Sequence, residues 1–321
     1  MCKLVDISSL LSELEIFEDF VRIKESPGMY PHKPVLSENW AYYSGHSFIY
    51  LREKLAAENR LPASIALVGI GSGVEGIIAG KVFHESLKQL IITDVDQEIV
   101  AGAVDNIRCA IPEHIEVIPL VGLYCEPLVP AGLTADLVYG NIPDLPAIGR
   151  ALSRWPERGA FIPSALFENY NPDPKFIKWA LGSQFAFLKS AKEVIGVGGS
   201  VITALGGRVP WVLIEELFGH SGLKLEEVVT GFKKQDEAMI NFQGYYCLEK
   251  EFGVEFEFYP LEGMDQLFRE QERHNPTDAI SGAQIKYLLR GQNISANDAL
   301  GSFGNLPIGH TVHILRGIKQ K

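Results

Sequence analysis

Short apolar runs rich in β-branched residues recur along the middle of the chain: Ile65 to Ile70, Gln89 to Asp94, Ile115 to Leu120, Asp136 to Tyr139 and Ser200 to Leu205. Each has the length of a strand buried on both faces. Between them the apolar positions switch to helical spacing, as at Ile77, Ile78, Val82 and Phe83, and again at Ile99, Ala103, Ile107 and Ala110. Phe176 to Ile195 and Trp211 to Phe218 follow the same period. Strands alternating with helices predict an α/β protein with a largely parallel sheet. Strand character returns at Leu223 to Phe232, Val254 to Tyr259 and Thr311 to Leu315, whereas residues 233–309 are charged and partly helical.

Upstream of these runs, Leu4, Ile7, Leu10, Leu11, Leu14, Phe17, Phe20 and Val21 predict one amphipathic helix over residues 4–23, serving as a lid or a homodimer surface. Pro27, Pro31 and Pro34 then predict a loop carrying Tyr30, His32, Trp40, Tyr42, Tyr43 and His46. These aromatics would either close over a cationic ligand or seat the helix on the core. Two regions follow: a helical and aromatic cap over 1–58, and a core over 59–321 with an inserted segment at about 233–309.

With 46% hydrophobic and 21% charged residues over 321 positions, there is ample material for a core. The net charge of −11 argues against a nucleic-acid partner, which ordinarily leaves a basic footprint. Cys2, Cys109, Cys125 and Cys247 lack metal-ligand spacing, so reduced thiols and no metal are expected. With no apolar run of membrane-span length and no basic leader, the expected location is the cytoplasm.

The chemistry concentrates at strand ends. After Ile65 to Ile70 the chain reads Gly69-Ile70-Gly71-Ser72-Gly73-Val74-Glu75-Gly76, where glycines let the backbone turn sharply and approach a ligand at a helix start. Asp94 ends the second run about 20 residues beyond the glycines, where a carboxylate accepts the ribose hydroxyls of a nucleotide. A solvated strand-end aspartate is the plainer alternative. Asn141-Ile142-Pro143-Asp144 ends the fourth run and faces the same crevice if the sheet is parallel. Tyr170 lies in an irregular segment read as a substrate loop, and Arg208 follows Gly206-Gly207 as a grip for a carboxylate. Gly71-x-Gly73-x-x-Gly76 also fits a dinucleotide fingerprint, so an NAD(P)-dependent oxidoreductase competes.

Gly69-x-Gly71-x-Gly73, Asp94 and the Asn141-Ile142-Pro143 turn resemble the glycine motif, ribose acid and fourth-strand motif of class I S-adenosylmethionine-dependent methyltransferases. The resemblance covers roughly residues 60–232. It implies a Rossmann-like sheet of seven strands, the last antiparallel, and S-adenosyl-L-methionine held by Gly69, Gly71, Gly73, Asp94, Val95, Leu123 and Asn141. Gly140-Asn141-Ile142-Pro143, Gly206 to Pro210, Phe256-Glu257-Phe258 and Ser281-Gly282-Ala283 further resemble the methionine S-methyltransferases. That narrower likeness implies methyl transfer to the thioether of L-methionine, giving S-methylmethionine on a route to dimethylsulfoniopropionate. Asn141, Tyr170 and Arg208 would then act in catalysis, and Asn141, Pro143, Asp144, Tyr170 and Arg208 would hold the small-molecule substrate.

Two features depart from the wider family. The third run ends in Val121-Gly122-Leu123 without an acid for the adenine amine, leaving backbone groups and Leu123, or a carboxylate elsewhere in the chain. The Asn-Ile-Pro-Asp turn has no aromatic in fourth place, which suits a non-planar acceptor. A thioether has a free lone pair and no proton to lose, so it needs no general base. Alternatives are N- or C-methylation, cyclisation of S-adenosylmethionine itself, the oxidoreductase, and a non-catalytic adenosyl-ligand sensor.

Overall fold

The computed structural model describes residues 3–16, 20–26, 29–147, 160–235, 242–261, 264, 281–302 and 306–320. Its strands are β1 Lys3–Asp6, β2 Arg22–Glu25, β3 Ser64–Val68, β4 Gln89–Asp94, β5 Glu116–Val121 and β6 Ala135–Gly140. The short pair β7 Leu145–Pro146 and β8 Phe161–Ile162 follows, then β9 Ile195–Gly207, β10 Lys224–Lys234, β11 Tyr259–Pro260 and β12 Ile308–Ile318. The main sheet runs β10-β12-β9-β6-β3-β4-β5, with β11 as a short addition to β12. Strands β3, β4, β5, β6 and β9 are parallel, and β12 runs antiparallel to both neighbours. This is the Rossmann-like, mostly parallel sheet with an antiparallel last strand that the resemblance implies; β11 is the addition.

Alternation along the strands separates two apolar layers. Ile65, Leu67, Leu90, Ile92, Leu137 and Tyr139 face one cluster, which includes side chains of α2 Trp40–Ala57, α3 Val74–Val82 and α4 Gln97–Arg108. Ala66, Val68, Ile91 and Val138 face the other, covered by the helices Gly182–Val194 and Trp211–Ser221. Strands buried on both faces need continuous apolar runs, which is why these stood out in the sequence.

The single helix expected over 4–23 is not there. β1 and β2 form an antiparallel pair with Asp6 opposite Arg22, and among the described residues between them α1 Ser8–Glu13 alone is helical. Asp6 stops the strand by accepting a hydrogen bond from the Ser8 backbone (2.9 Å), and Val5 and Ile23 favour extended chain. Phe17 lies outside the described residues. The aromatic loop is corrected as well: Trp40, Tyr42, Tyr43 and His46 sit on α2. Gly45 inside that helix admits α1, since a Cβ there would stand 2.3 Å from Leu14 Cδ1. Val254 to Tyr259 is not one strand, because only Tyr259–Pro260 pairs with β12 and Phe258 bridges to Ile294. Among the described residues between β10 and β12 stand the helices Phe242–Phe252, Gly282–Leu288 and Ala296–Ser302.

Candidate functional site

Register decides where the site lies. Val68 of β3 pairs with Thr93 of β4 and with Gly140 of β6, and Gly140 pairs with Thr203 of β9. Gly69, Asp94 and Asn141 each follow that row by one residue, so they stand side by side at the carboxyl ends of three adjacent strands. The connections diverge here, from β3 to β4 on one side and to β6 on the other, which opens a crevice. A cavity of about 640 Å³ occupies it, within the range of about 300–1,000 Å³ usual for small-molecule sites. Gly69, Gly71, Asp94, Val95, Leu123, Asn141, Pro143, Asp144 and Arg208 all line it.

Two predicted residues do not. Gly73 (φ 85°) caps α3 and packs outward, where a Cβ would lie 3.1 Å from Ile107 Cγ1 and 3.2 Å from the Ala103 carbonyl oxygen. It lets α3 approach α4 closely and has no face toward the cavity. Tyr170 points its hydroxyl to Glu126 (2.8 Å) near the surface and lies edge-on to Tyr124, away from the cavity lining. The loop carrying it was legible as irregular, but its direction depends on packing around Phe167.

At the β3–β4 end, Gly69 (φ 66°) and Gly71 (φ 53°) take left-handed backbone that glycine adopts freely. A Cβ on Gly71 would meet nothing within 4 Å, so the turn presents open backbone to the cavity. The Asp94 carboxylate is held by backbone N–H groups of Asp96 (3.2 Å), Gly71 and Val95. Burial nevertheless raises its pKa, so a ligand bearing hydroxyl donors would relieve it. Beyond β5, Gly122, Leu123 and Tyr124 form the adjoining wall. The Tyr124 hydroxyl is buried without a hydrogen-bond partner. These features fit an adenosine: backbone approach, a carboxylate for vicinal hydroxyls, and an apolar wall.

At the β6–β9 end the turn carbonyls are already engaged. Ile142 accepts from Gln184 Nε2 (3.1 Å) and Pro143 accepts from the Ser183 hydroxyl, and the half-buried Asn141 lines the cavity beside them. Gln184 also donates to Asp144 Oδ1 (3.1 Å) and accepts from Thr203 (2.7 Å). Burial pushes the Asp144 carboxyl up to about 6, with Arg208 and Gln184 pulling the other way. Arg208 Nη1 is 3.6 Å from Asp144 Oδ2.

Arg208 is 2% exposed. Its guanidinium folds back over Gly206, where a Cβ would stand 1.9 Å from Nη1. Nη2 donates to Gln235 Oε1 (3.1 Å) and to His310 Nε2 (2.7 Å). His310 Nδ1 donates to the Thr311 carbonyl (2.8 Å), so Nε2 is the bare, accepting nitrogen. Burial and the neighbouring guanidinium drive the His310 pKa well below its usual range, keeping the ring neutral. Arg208 Nε is buried with no partner, and the Tyr245 ring lies 5.3 Å beneath the guanidinium.

Sequence reading missed His310, Lys233, Gln184 and Tyr245, which complete this end. His310 could have been noticed as the polar member of an alternating row with Val312 and Ile314 at the start of β12. Gln184 lies inside a helix and carried no signal. Among the described residues no cluster of His, Cys, Asp or Glu could hold a metal ion, and no helix is long and apolar enough to cross a membrane. Cys125 is buried, and Cys109 and Cys247 are exposed free thiols.

No family model matches the chain, and no curated protein matches it. Among solved structures it is similar to a candidate RNA methyltransferase from Pyrococcus horikoshii, with 14% identity over 98% of both chains and a TM-score of 0.43. It is also similar to the Thermus thermophilus 16S rRNA N2 G1207 methyltransferase in complex with AdoMet and guanosine (13% identity, 71% of this chain and 48% of that one, TM-score 0.44). A third is the YcgJ protein of Bacillus subtilis (12% identity, 86% and 99%, TM-score 0.41). At these identities and scores they are distant likenesses of shape, without bearing on what this chain binds.

Proposed function

We propose that the chain is an S-adenosyl-L-methionine-dependent methyltransferase whose acceptor is the thioether sulfur of L-methionine, giving S-methyl-L-methionine and S-adenosylhomocysteine. When bound, the donor supplies an electrophilic methyl group on a sulfonium. Asp94 would take the ribose hydroxyls, Gly69 and Gly71 would admit the donor against bare backbone, and Leu123 with Tyr124 would flank the adenine.

The observation that carries the acceptor class is the buried pair of opposite charges beyond β6 and β9. Arg208, with its unpartnered Nε, suits a carboxylate, and Asp144 beside it suits an ammonium. A zwitterionic amino acid meets both. β9 and β4 are three strands apart, about 14 Å at the usual spacing, so an acceptor at Arg208 and an adenosine at Asp94 leave room between them for the transferred methyl. Asn141 stands over that gap with its amide free to orient either reactant. A thioether needs no proton removed, so these groups would work by alignment and exclusion of water.

A second reading draws on Asp144: a carboxyl near 6 next to the turn is also a competent base for an amine acceptor. Mass spectrometry after incubation with S-adenosylmethionine, with and without methionine, separates the two. S-methylmethionine appearing only with methionine supports the thioether reading; its absence, with an N-methylated amino acid instead, favours the second. Methylthioadenosine formed without any acceptor would indicate cyclisation of the donor itself, and stabilisation by NAD(P)H alone would return the oxidoreductase.

A further inference from the structure

Glu75 is the second residue of α3, directly after the glycine turn, and it lines the cavity. The strand preceding that turn ends in Leu67 and Val68, so no acid stands at its tip. Among the described residues Glu75 has no cationic partner. Tyr139 of β6 is an electrostatic neighbour, and its hydroxyl is taken by Ser44 of α2 at 2.5 Å. Farther round the cavity stand His32 after β2, Asp94 and Asp96 beyond β4, Asp144 beyond β6, Arg208 beyond β9, and Lys233 and His310 on the antiparallel pair. Withdrawal from water without a counter-charge pushes the Glu75 carboxyl up to about 7. A carboxylate kept in that condition is costly to the free protein and is relieved by a cation arriving from outside.

Position says which cation. The turn stands over β3, between Asp94 on one side and Asn141 on the other. A donor with its ribose at Asp94 and its methyl directed toward Asn141 brings its amino-acid end past the glycine turn and the first turn of α3. We propose that Glu75 binds the α-ammonium group of the donor's methionyl end. The assignment rests on the donor reading above. An acid at a helix start also favours the helix dipole, but that role needs neither a cavity-facing side chain nor a ligand with an amine.

Three adenosyl ligands separate these roles in calorimetric titrations of the wild-type protein and Glu75→Gln. S-adenosylmethionine has ammonium and sulfonium, S-adenosylhomocysteine has the ammonium alone, and 5′-methylthioadenosine has neither. The expected result is a loss of about ten-fold for the first two in the variant, with the third changed by less than about two-fold. Wild-type binding of S-adenosylhomocysteine near pH 7 should also release a proton, visible as a buffer-dependent enthalpy that the variant lacks. Equal losses for all three ligands would assign Glu75 a structural role and overturn the proposal. A loss confined to S-adenosylmethionine would place the sulfonium there and overturn it too, as would no loss at all. Failure of the wild-type protein to bind any of the three would overturn the donor reading and this assignment together.

Discussion

Gly206→Ala tests whether the proposed acceptor end is built around a guanidinium packed on bare backbone. The three atoms nearest a Cβ at this position all belong to Arg208, at 1.9, 2.8 and 3.3 Å, so the methyl group and the guanidinium cannot both stay. Expelling it breaks the hydrogen bonds to Gln235 and His310 and the ion pair with Asp144. Hydrogen bonds to a charged group contribute about 1.5–3 kcal/mol each, so two amount to roughly 3–6 kcal/mol. Hydration of the displaced group in the adjoining cavity returns part of this, and loss of backbone freedom in the unfolded chain returns roughly 0.5 kcal/mol. The expected net cost is about 2–4 kcal/mol. The assay is equilibrium urea unfolding of wild type, Gly206→Ala, Arg208→Ala and the double variant. In the Arg208→Ala background the clash has no partner, and Gly206→Ala should be neutral within about 0.5 kcal/mol or slightly stabilising. An equal cost in both backgrounds would refute the reasoning, because the methyl would then be clashing with something other than the guanidinium. In turnover assays, Gly206→Ala should raise KM for the acceptor while leaving donor affinity near wild type.

The remaining predictions concern three other side chains. Asp144 is raised to about 6, so its anion forms as pH climbs through that value; acceptor affinity should rise over the same range, and Asp144→Asn should flatten the profile of KM against pH. Tyr170→Phe removes a hydroxyl that serves Glu126 rather than the cavity, and should leave donor and acceptor affinities unchanged with less than about 1 kcal/mol lost in unfolding. For Glu75 the folded pKa lies above the unfolded one, so its stabilising contribution is complete at acid pH and is lost as pH rises through about 7. Ligand-free Glu75→Gln should therefore be more stable than wild type near pH 8, by about 1–2 kcal/mol after allowance for partial exposure, with little difference near pH 4. Thermal melts across that range check it, and a pH-independent difference would contradict it.

What the linear chain determined by itself is whatever depends on neighbours in sequence. Buried parallel strands require unbroken apolar runs, so β3, β4, β6 and the central part of β9 were legible, and a turn that needs left-handed backbone at Gly69 and Gly71 requires glycine. From these the doubly wound sheet and the placement of Asp94 and Asn141 at its carboxyl edge followed. The N-terminal segment misled because β1, α1 and β2 together mimic one helical period; their true states come from pairing between residues as far apart as Lys3 and Glu25. The second half of the site belongs to tertiary structure alone. Gln235 and His310 meet Arg208 only because β12 inserts between β9 and β10, and no local spacing records that insertion. The same packing turns Tyr170 outward and Gly73 toward α4, and it leaves Glu75 facing the cavity with no counter-charge among the described residues. Periodicity reports which face of an element is buried; which charges share that burial is decided by the strand order.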